Sequence, residues 1–157
     1  MSDNSATIRE AVEKYFEAEG FKFSGFDENG FGRTSFRVKT KIGHAEIIFH
    51  AQPDRLMIRS MIPLTADEDT RLLAAEYILR ANYGIKNGGF DLDFDDGEIS
   101  FRLPIYCGQT TPAPTHDQIN FAVDSCLFAV QRYSDGLARV LYGMETPKDA
   151  IAKIESK

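Results

Sequence analysis

The densest group of side chains that could bind a metal is the acidic run from Asp91 to Gly97. Carboxylates at alternate positions followed by a glycine are typical of EF-hand calcium loops. Here the glycine falls one position late, and Arg102 stands where the loop requires a bidentate glutamate. Phe and Leu alternate with the acidic residues, which is the pattern of a half-buried strand. We therefore expect the outward edge of a strand here and no metal site.

The other residue types suited to catalysis are scattered along the chain. His44 and His50 would lie about 20 Å apart on an extended strand, too far to share one metal ion. Cys126 falls on an apolar helical face and is expected in the core, whereas Cys107, beside a glycine in a loop, could be exposed. Because no nucleophile has a sequence-local partner, we predict no catalytic residue, no cofactor and no enzymatic activity.

Composition limits the class of protein. The chain has 157 residues, which suits a single domain over 1–157, and 43% of them are hydrophobic, including 12 Phe. A formal charge of −6 argues against binding nucleic acid or anionic membranes, because both attract basic surfaces. The sequence shows neither a signal peptide nor a run of apolar residues long enough to cross a membrane, so a cytoplasmic location is expected.

A helix is predicted from Ala66 to Tyr83. Thr65 and Glu68 have the spacing of a capping box at its start, and Gly84 is the expected left-handed stop. Apolar residues occupy most of the helix circumference, about twice the stripe that a helix needs to pack on one sheet. Either another element of the same chain or a second subunit must cover the excess.

A hairpin follows this helix. Phe90, Leu92 and Phe94 alternate with aspartates, and Asp96-Gly97 is a preferred two-residue turn. Such a turn places apolar residues opposite each other and one charge opposite its counterpart. The predicted pairs are Phe94 with Ile99, Leu92 with Phe101, Phe90 with Leu103, and Asp91 with Arg102.

The remaining elements follow from periodicity and caps. An amphipathic helix ending at Gly20 precedes three strands between Phe31 and Ile62, and the segment from Phe21 to Phe26 is either a fourth strand or a covering segment. Thr115 and Gln118 form a second capping box, which opens a long helix to about Leu141. A short tail helix begins at Pro147, with Thr146 as its cap.

Two large aromatic residues fall on the polar side of the long helix. Phe121 and Phe128 are seven residues apart, opposite the face that must be buried. One interpretation is that the tail helix folds back and covers them with Ile151 and Ile154. The other is that Phe121 and Phe128 contact a partner molecule.

The resulting order is α-β-β-β-α-β-β-α with a short C-terminal helix, which indicates an α+β fold with helices on an antiparallel sheet. This order resembles the type III secretion chaperone-like fold. The stretch from Leu72 to Ile105 is similar to the YbjN family built on that fold, above all in Asn82 and the hairpin with its Asp96-Gly97 turn. The segment from Phe21 to Phe26 and the tail helix depart from the pattern, and either could block a client groove or a dimer contact.

The resemblance implies a small, acidic, non-enzymatic homodimer. Secretion chaperones of this fold hold an extended client segment over their sheet and helices and pair through the central helix. YbjN-like proteins are described as candidate regulators of sensory transduction, with no settled biochemical role. On this basis Leu73, Tyr77 and Ala81, which flank the polar stripe of the central helix, are predicted to form the dimer contact.

Three functions follow from these features. The favoured one is a protein-binding chaperone or adaptor that acts as a homodimer and holds a protein client or regulatory partner. The alternative is a small-ligand sensor with a pocket lined by Phe residues. The third is a structural or regulatory subunit of a larger complex.

Overall fold

The computed structural model describes residues 2–156, which form four helices and five strands. The elements, in chain order, are α1 (Ser5–Glu19), β1 (Phe31–Arg37), β2 (His44–Gln52), β3 (Arg55–Thr65), α2 (Arg71–Gly84), β4 (Gly89–Leu92), β5 (Glu98–Tyr106), α3 (His116–Leu141) and α4 (Pro147–Glu155). This order confirms the predicted α+β fold.

The five strands form one antiparallel sheet in the order β1-β2-β3-β5-β4. Alternation along β2 and β3 sends every second side chain into the core, and Ile47, Phe49, Leu56 and Ile58 are fully buried there. Helices α1 and α3 pack on this inner face, while α2 contacts β4, α3 and α4. The opposite face of the sheet carries no helix from the described part of the chain.

Helix α3 forms as its sequence predicts. The Thr115 hydroxyl accepts from the Gln118 amide at 3.1 Å, and the Gln118 side chain accepts from the Thr115 amide at 2.9 Å. This reciprocal pair confirms the capping box. The apolar face of α3, which includes the predicted core residue Cys126, is buried against the sheet.

The segment from Phe21 to Phe26 is a covering segment and not a fourth strand. It lies along the free edge of β1, where the Ser24 amide donates to the Arg33 carbonyl at 3.0 Å and the Thr34 hydroxyl donates to the Lys22 carbonyl at 2.7 Å. The Phe23 ring stacks on Phe16 of α1, with ring centroids 4.4 Å apart. The segment therefore closes one edge of the sheet and extends the core.

The predicted start of α2 is wrong by about one turn. Thr65 is the last residue of β3, where it pairs with Glu98, so it does not cap a helix. The Ala66 amide donates to the Gly97 carbonyl at 3.0 Å, and Asp67 Oδ1 accepts from the Thr70 amide at 3.0 Å. The hairpin thus holds Ala66 outside the helix, and a turn closed by the Asp67 carbonyl precedes α2. At the other end, the predicted stop Gly84 is the last helical residue and has no left-handed conformation.

The predicted hairpin register is also wrong, by two residues. Phe90 pairs with Phe101 and Leu92 with Ile99, because the loop between β4 and β5 is longer than a two-residue turn. Gly97 donates its amide to the Asp93 carbonyl at 2.7 Å, which leaves Phe94 exposed in that loop. Since the shift is even, every strand side chain stays on its predicted face.

Candidate protein-binding surface

One of the concavities on the helical side is a groove between α3 and the loop that follows α2. Its volume is about 440 Å³, and we call it the α3 groove. Its floor is formed by aromatic rings of the core, its walls by exposed side chains of α3 and of the loop, and one end by the last turn of α4. The principal lining residues are Lys86, Phe101, Phe121, Phe128, Arg132, Tyr133 and Glu155.

Phe121 and Phe128 form the outer wall of this groove. They are 54% and 60% exposed, so the tail helix does not cover them. Helix α4 packs elsewhere: Ile151 is buried beside α2, and Ile154 lies next to Gly136 further along α3. Because they are seven residues apart, the two rings lie on the same face of α3. Both are therefore available to a partner.

The end of the groove that the last turn of α4 forms is polar. The guanidinium carbon of Arg132 lies 5.6 Å from the Phe128 ring centroid and 5.7 Å from that of Tyr133, within cation–π distance. The Tyr133 hydroxyl donates to Glu155 at 3.5 Å, and burial raises the pKa of Tyr133. The phenol is protonated at neutral pH, and its one O–H is directed at Glu155.

Of the three residues predicted for the dimer contact, two are buried and one is exposed. Tyr77 and Ala81 are 1% and 0% exposed, and the Tyr77 hydroxyl donates to the Tyr133 carbonyl at 2.6 Å. Both side chains are core residues of this chain, so they have no surface left for a second copy, which corrects the prediction for these two. Leu73, at 42% exposed, remains accessible.

Helix α2 exposes a different set of apolar side chains. Leu72, Leu79 and Tyr83 are 78%, 68% and 96% exposed and lie on one stripe, which we call the α2 stripe. The Glu76–Arg80 ion pair, at 2.8 Å, borders it. Between the stripe and α4 lies a second depression, lined by Leu79, Tyr83 and Glu155. Since Glu155 also lines the α3 groove, the two apolar surfaces are adjacent.

Comparison with known proteins gives similarity in structure only. No family model matches the sequence, and no curated protein matches it. A chain of the HopA1-SchA chaperone-effector complex aligns with a TM-score of 0.56 and 11% identity, over 81% of this chain and 92% of that one. YbjN from E. coli, a proposed transcription regulator, aligns with a TM-score of 0.55 and 10% identity, over 81% and 91% of the two chains.

The chain has the fold of these two proteins. The predicted resemblance to the secretion chaperone-like fold and to YbjN is thereby confirmed as a resemblance of fold. One of the two structures is a complex of a chaperone with an effector protein.

The residues considered for catalysis do not come together. Within residues 2–156, no three His, Cys, Asp or Glu side chains are close enough to hold a metal ion. The His50 ring stacks on Phe31 at 3.9 Å, and Cys107 is buried, which contradicts the exposure considered for it. Burial raises the pKa of both thiols, that of Cys126 to about 12. No helix in this part of the chain is long and apolar enough to cross a membrane.

Proposed function

We propose that this protein is a non-enzymatic, chaperone-like or adaptor module that binds a protein partner in the α3 groove. The observation that carries the proposal is the exposure of Phe121 and Phe128 along one wall of an aromatic groove. Burial of one such ring contributes about 1.5–3 kcal/mol, so two rings can anchor a partner segment. The chaperone-effector complex among the similar structures supports a protein partner. Two free cysteines are consistent with a cytoplasmic location.

The test of this site compares variants in a pull-down from cells of the source organism, read by mass spectrometry. The double variant Phe121→Ser, Phe128→Ser removes both rings from the groove wall. Phe94→Ser is the matched control, because Phe94 is similarly exposed but lies in the hairpin loop. We expect a partner that wild type and the control retain and the double variant loses. Equal recovery by all three proteins would contradict the proposed site.

The proposal includes a homodimer that pairs through the α2 stripe. Leu72, Leu79 and Tyr83 form a self-complementary apolar row, which a two-fold axis would set antiparallel to its copy. Leu73 is the one predicted contact residue that remains accessible, but it lies about 100° around the helix from Leu72, beyond the Glu76–Arg80 pair. Pairing would remove three large apolar side chains from water and so lower the free energy of the pair.

Light scattering coupled to size-exclusion chromatography tests the pairing at micromolar concentrations. Wild type is expected at twice the chain mass, and Leu79→Glu at the mass of one chain, because a charge in the stripe cannot be buried without a partner. Tyr106→Glu is the control, since Tyr106 is equally exposed on β5. A monomeric wild type would overturn the dimer.

A second candidate function is a small-ligand sensor. The groove volume of about 440 Å³ and its four aromatic lining residues match the usual size and chemistry of ligand pockets. A thermal-shift screen with metabolites separates the two functions. A compound that raises the Tm of wild type but not that of Phe128→Ser would favour the sensor over the protein-binding module.

A further inference from the structure

The sheet face that points away from the helices is a second surface, separate from the α3 groove, and we call it the open sheet face. At its centre Arg59 lies opposite Ile48 of β2 and Arg102 of β5. Met57 and Met61 flank Arg59 along the same strand, and Pro104 pairs with Met57. A charged centre is thus surrounded by aliphatic side chains that are partly open to water.

The charge of this face is opposite in sign to that of the whole chain. The outward positions of the five strands carry three carboxylates, Glu46, Asp91 and Glu98. The same positions carry five arginines: Arg33, Arg37, Arg55, Arg59 and Arg102. The chain has a formal charge of −6, whereas these outward positions carry two more arginines than carboxylates. Arg33 is paired with Glu46 and Arg55 with Asp54, so the unpaired positive charge lies at the centre of the face and at Arg37.

The central arginines are not fully neutralised. Arg59 and Arg102 are direct cross-strand neighbours, an arrangement that is destabilising unless an anion lies between them. Within residues 2–156 Asp91 is the one carboxylate that does this, accepting from Arg59 at 3.1 Å and from Arg102 at 2.7 Å. One carboxylate thus serves two guanidinium groups and leaves an excess positive charge.

Hydrogen-bond donors also remain at this point. Arg59 bonds to Asp91 and Ser100 through Nη1 alone, and Arg102 bonds to Asp91 through Nε and Nη2. Each guanidinium has five N–H donors, so about three on each have no acceptor within the described residues. Both side chains are partly exposed, at 32% and 44%, so an incoming carboxylate can reach them.

We propose that the open sheet face binds an acidic protein segment that places a carboxylate between Arg59 and Arg102 and aliphatic side chains over Met57 and Ile48. The excess positive charge favours a negatively charged partner. The aliphatic side chains around it favour a protein segment over other macromolecules. Single-stranded nucleic acid needs a row of aromatic rings for base stacking, which the centre of this face lacks. The site lies on the opposite side of the sheet from the α3 groove and does not depend on it.

The probe is a synthetic peptide of about twelve residues in which Leu alternates with Glu, long enough to cross strands spaced about 4.8 Å apart. Two control peptides have Gln or Lys in place of the two central glutamates. Titration is followed by ¹H–¹⁵N NMR of the intact protein, including the Nε–H signals of Arg59 and Arg102. We expect saturable shifts at these two signals, with the Glu peptide bound about tenfold tighter than the Lys peptide, a difference that charge-assisted hydrogen bonds can supply.

Three variants make the result specific. Arg102→Gln should weaken binding of the Glu peptide about tenfold, because one charged donor group is lost. Asp91→Asn should tighten it, since the competing carboxylate is removed, whereas a purely structural role of Asp91 would weaken it. Lys14→Gln, which removes one positive charge from the exposed side of α1, should leave the affinity unchanged.

Several results would overturn the inference. They are the absence of saturable shifts, equal affinity for the Glu and Lys peptides, and shifts confined to α3. Tighter binding of a single-stranded DNA of similar length would assign the face to nucleic acid instead. Loss of the wild-type dimer in Arg102→Gln would assign it to a second copy of the chain. None of these results bears on the pull-down with the groove variants.

Discussion

The side chain of Asn82 occupies the hydrogen-bonding edge of Phe90. Asn82 Oδ1 accepts from the Phe90 amide at 2.7 Å, and Asn82 Nδ2 donates to the Phe90 carbonyl at 3.1 Å. One residue of α2 thereby takes the place that a neighbouring strand would have beside β4. The segment from Phe21 to Phe26 protects the other edge of the sheet, so partners are expected on faces and grooves and not as added strands.

Replacing Asn82 tests this edge contact. Asn82→Ala removes both hydrogen bonds to Phe90, and we expect a loss of about 1–2 kcal/mol in the free energy of unfolding, measured by urea denaturation. Asn87→Ala is the control, because Asn87 is exposed and should change stability by less than about 0.5 kcal/mol. Equal stability of the two variants would show that the contact contributes little.

Ser60 is buried in the core with a hydroxyl that has no hydrogen-bond partner within the described residues. Ser60→Ala removes an unsatisfied polar group, so we expect stability to stay the same or rise by up to about 1 kcal/mol. Ser134→Ala is the matched change, because the buried Ser134 hydroxyl bonds to that of Thr40 at 3.3 Å. That variant should lose about 1 kcal/mol in the same denaturation experiment. A clear loss for Ser60→Ala would reveal a partner for its hydroxyl.

Gly97 contacts the start of the segment that leads into α2, because its carbonyl accepts from the Ala66 amide. A comparison with Gly43, which also has a positive φ, separates backbone strain from packing at this contact. Gly97 and Gly43 have φ values of 80° and 77°. A Cβ on Gly97 would overlap the Ala66 carbonyl, whereas one on Gly43 meets no atom within 4 Å. We expect Gly43→Ala to cost about 1 kcal/mol from backbone strain alone, and Gly97→Ala about 3 kcal/mol or more. Similar thermal midpoints for the two variants would contradict this difference in packing.

The two cysteines should be unreactive in the folded protein. Cys107 and Cys126 are both buried, and the raised pKa values keep the thiols protonated at mildly alkaline pH. We expect a thiol reagent such as Ellman's to label native protein slowly and both thiols rapidly in guanidinium chloride. Asn87→Cys, at an exposed site, supplies the positive control with one fast-reacting thiol. Rapid labelling of native wild type would disagree with the burial of either cysteine.

Much of the fold follows from local signals. The capping box at Thr115, the apolar period of α3 and the alternation of β2 and β3 each specify one element and its buried face. At these places the local signals predicted the element correctly, because the residues that form the cap or set the period lie within a few positions of one another and no distant contact opposes them. The groove residues Phe121 and Phe128 were found in the same way, as large rings on an otherwise polar helical face.

Long-range contacts decided what the local signals predicted wrongly. The Ala66 amide donates to the Gly97 carbonyl, thirty-one residues further along the chain. This contact accounts for both the late start of α2 and the longer hairpin loop. Thr65 cannot act as a helix cap, because β3 continues through it and pairs it with Glu98. Secondary-structure propensity is weak compared with such pairing.

The sequence by itself determined that α2 has more apolar surface than one sheet can cover. It did not determine which side chains face outward, because a helix that is apolar around most of its circumference has no single buried stripe to read. The packing of α3 and α4 settled this, burying Tyr77 and Ala81 and leaving Leu72, Leu79 and Tyr83 in water. The choice depends on where three distant elements meet, and only the tertiary structure contains that information.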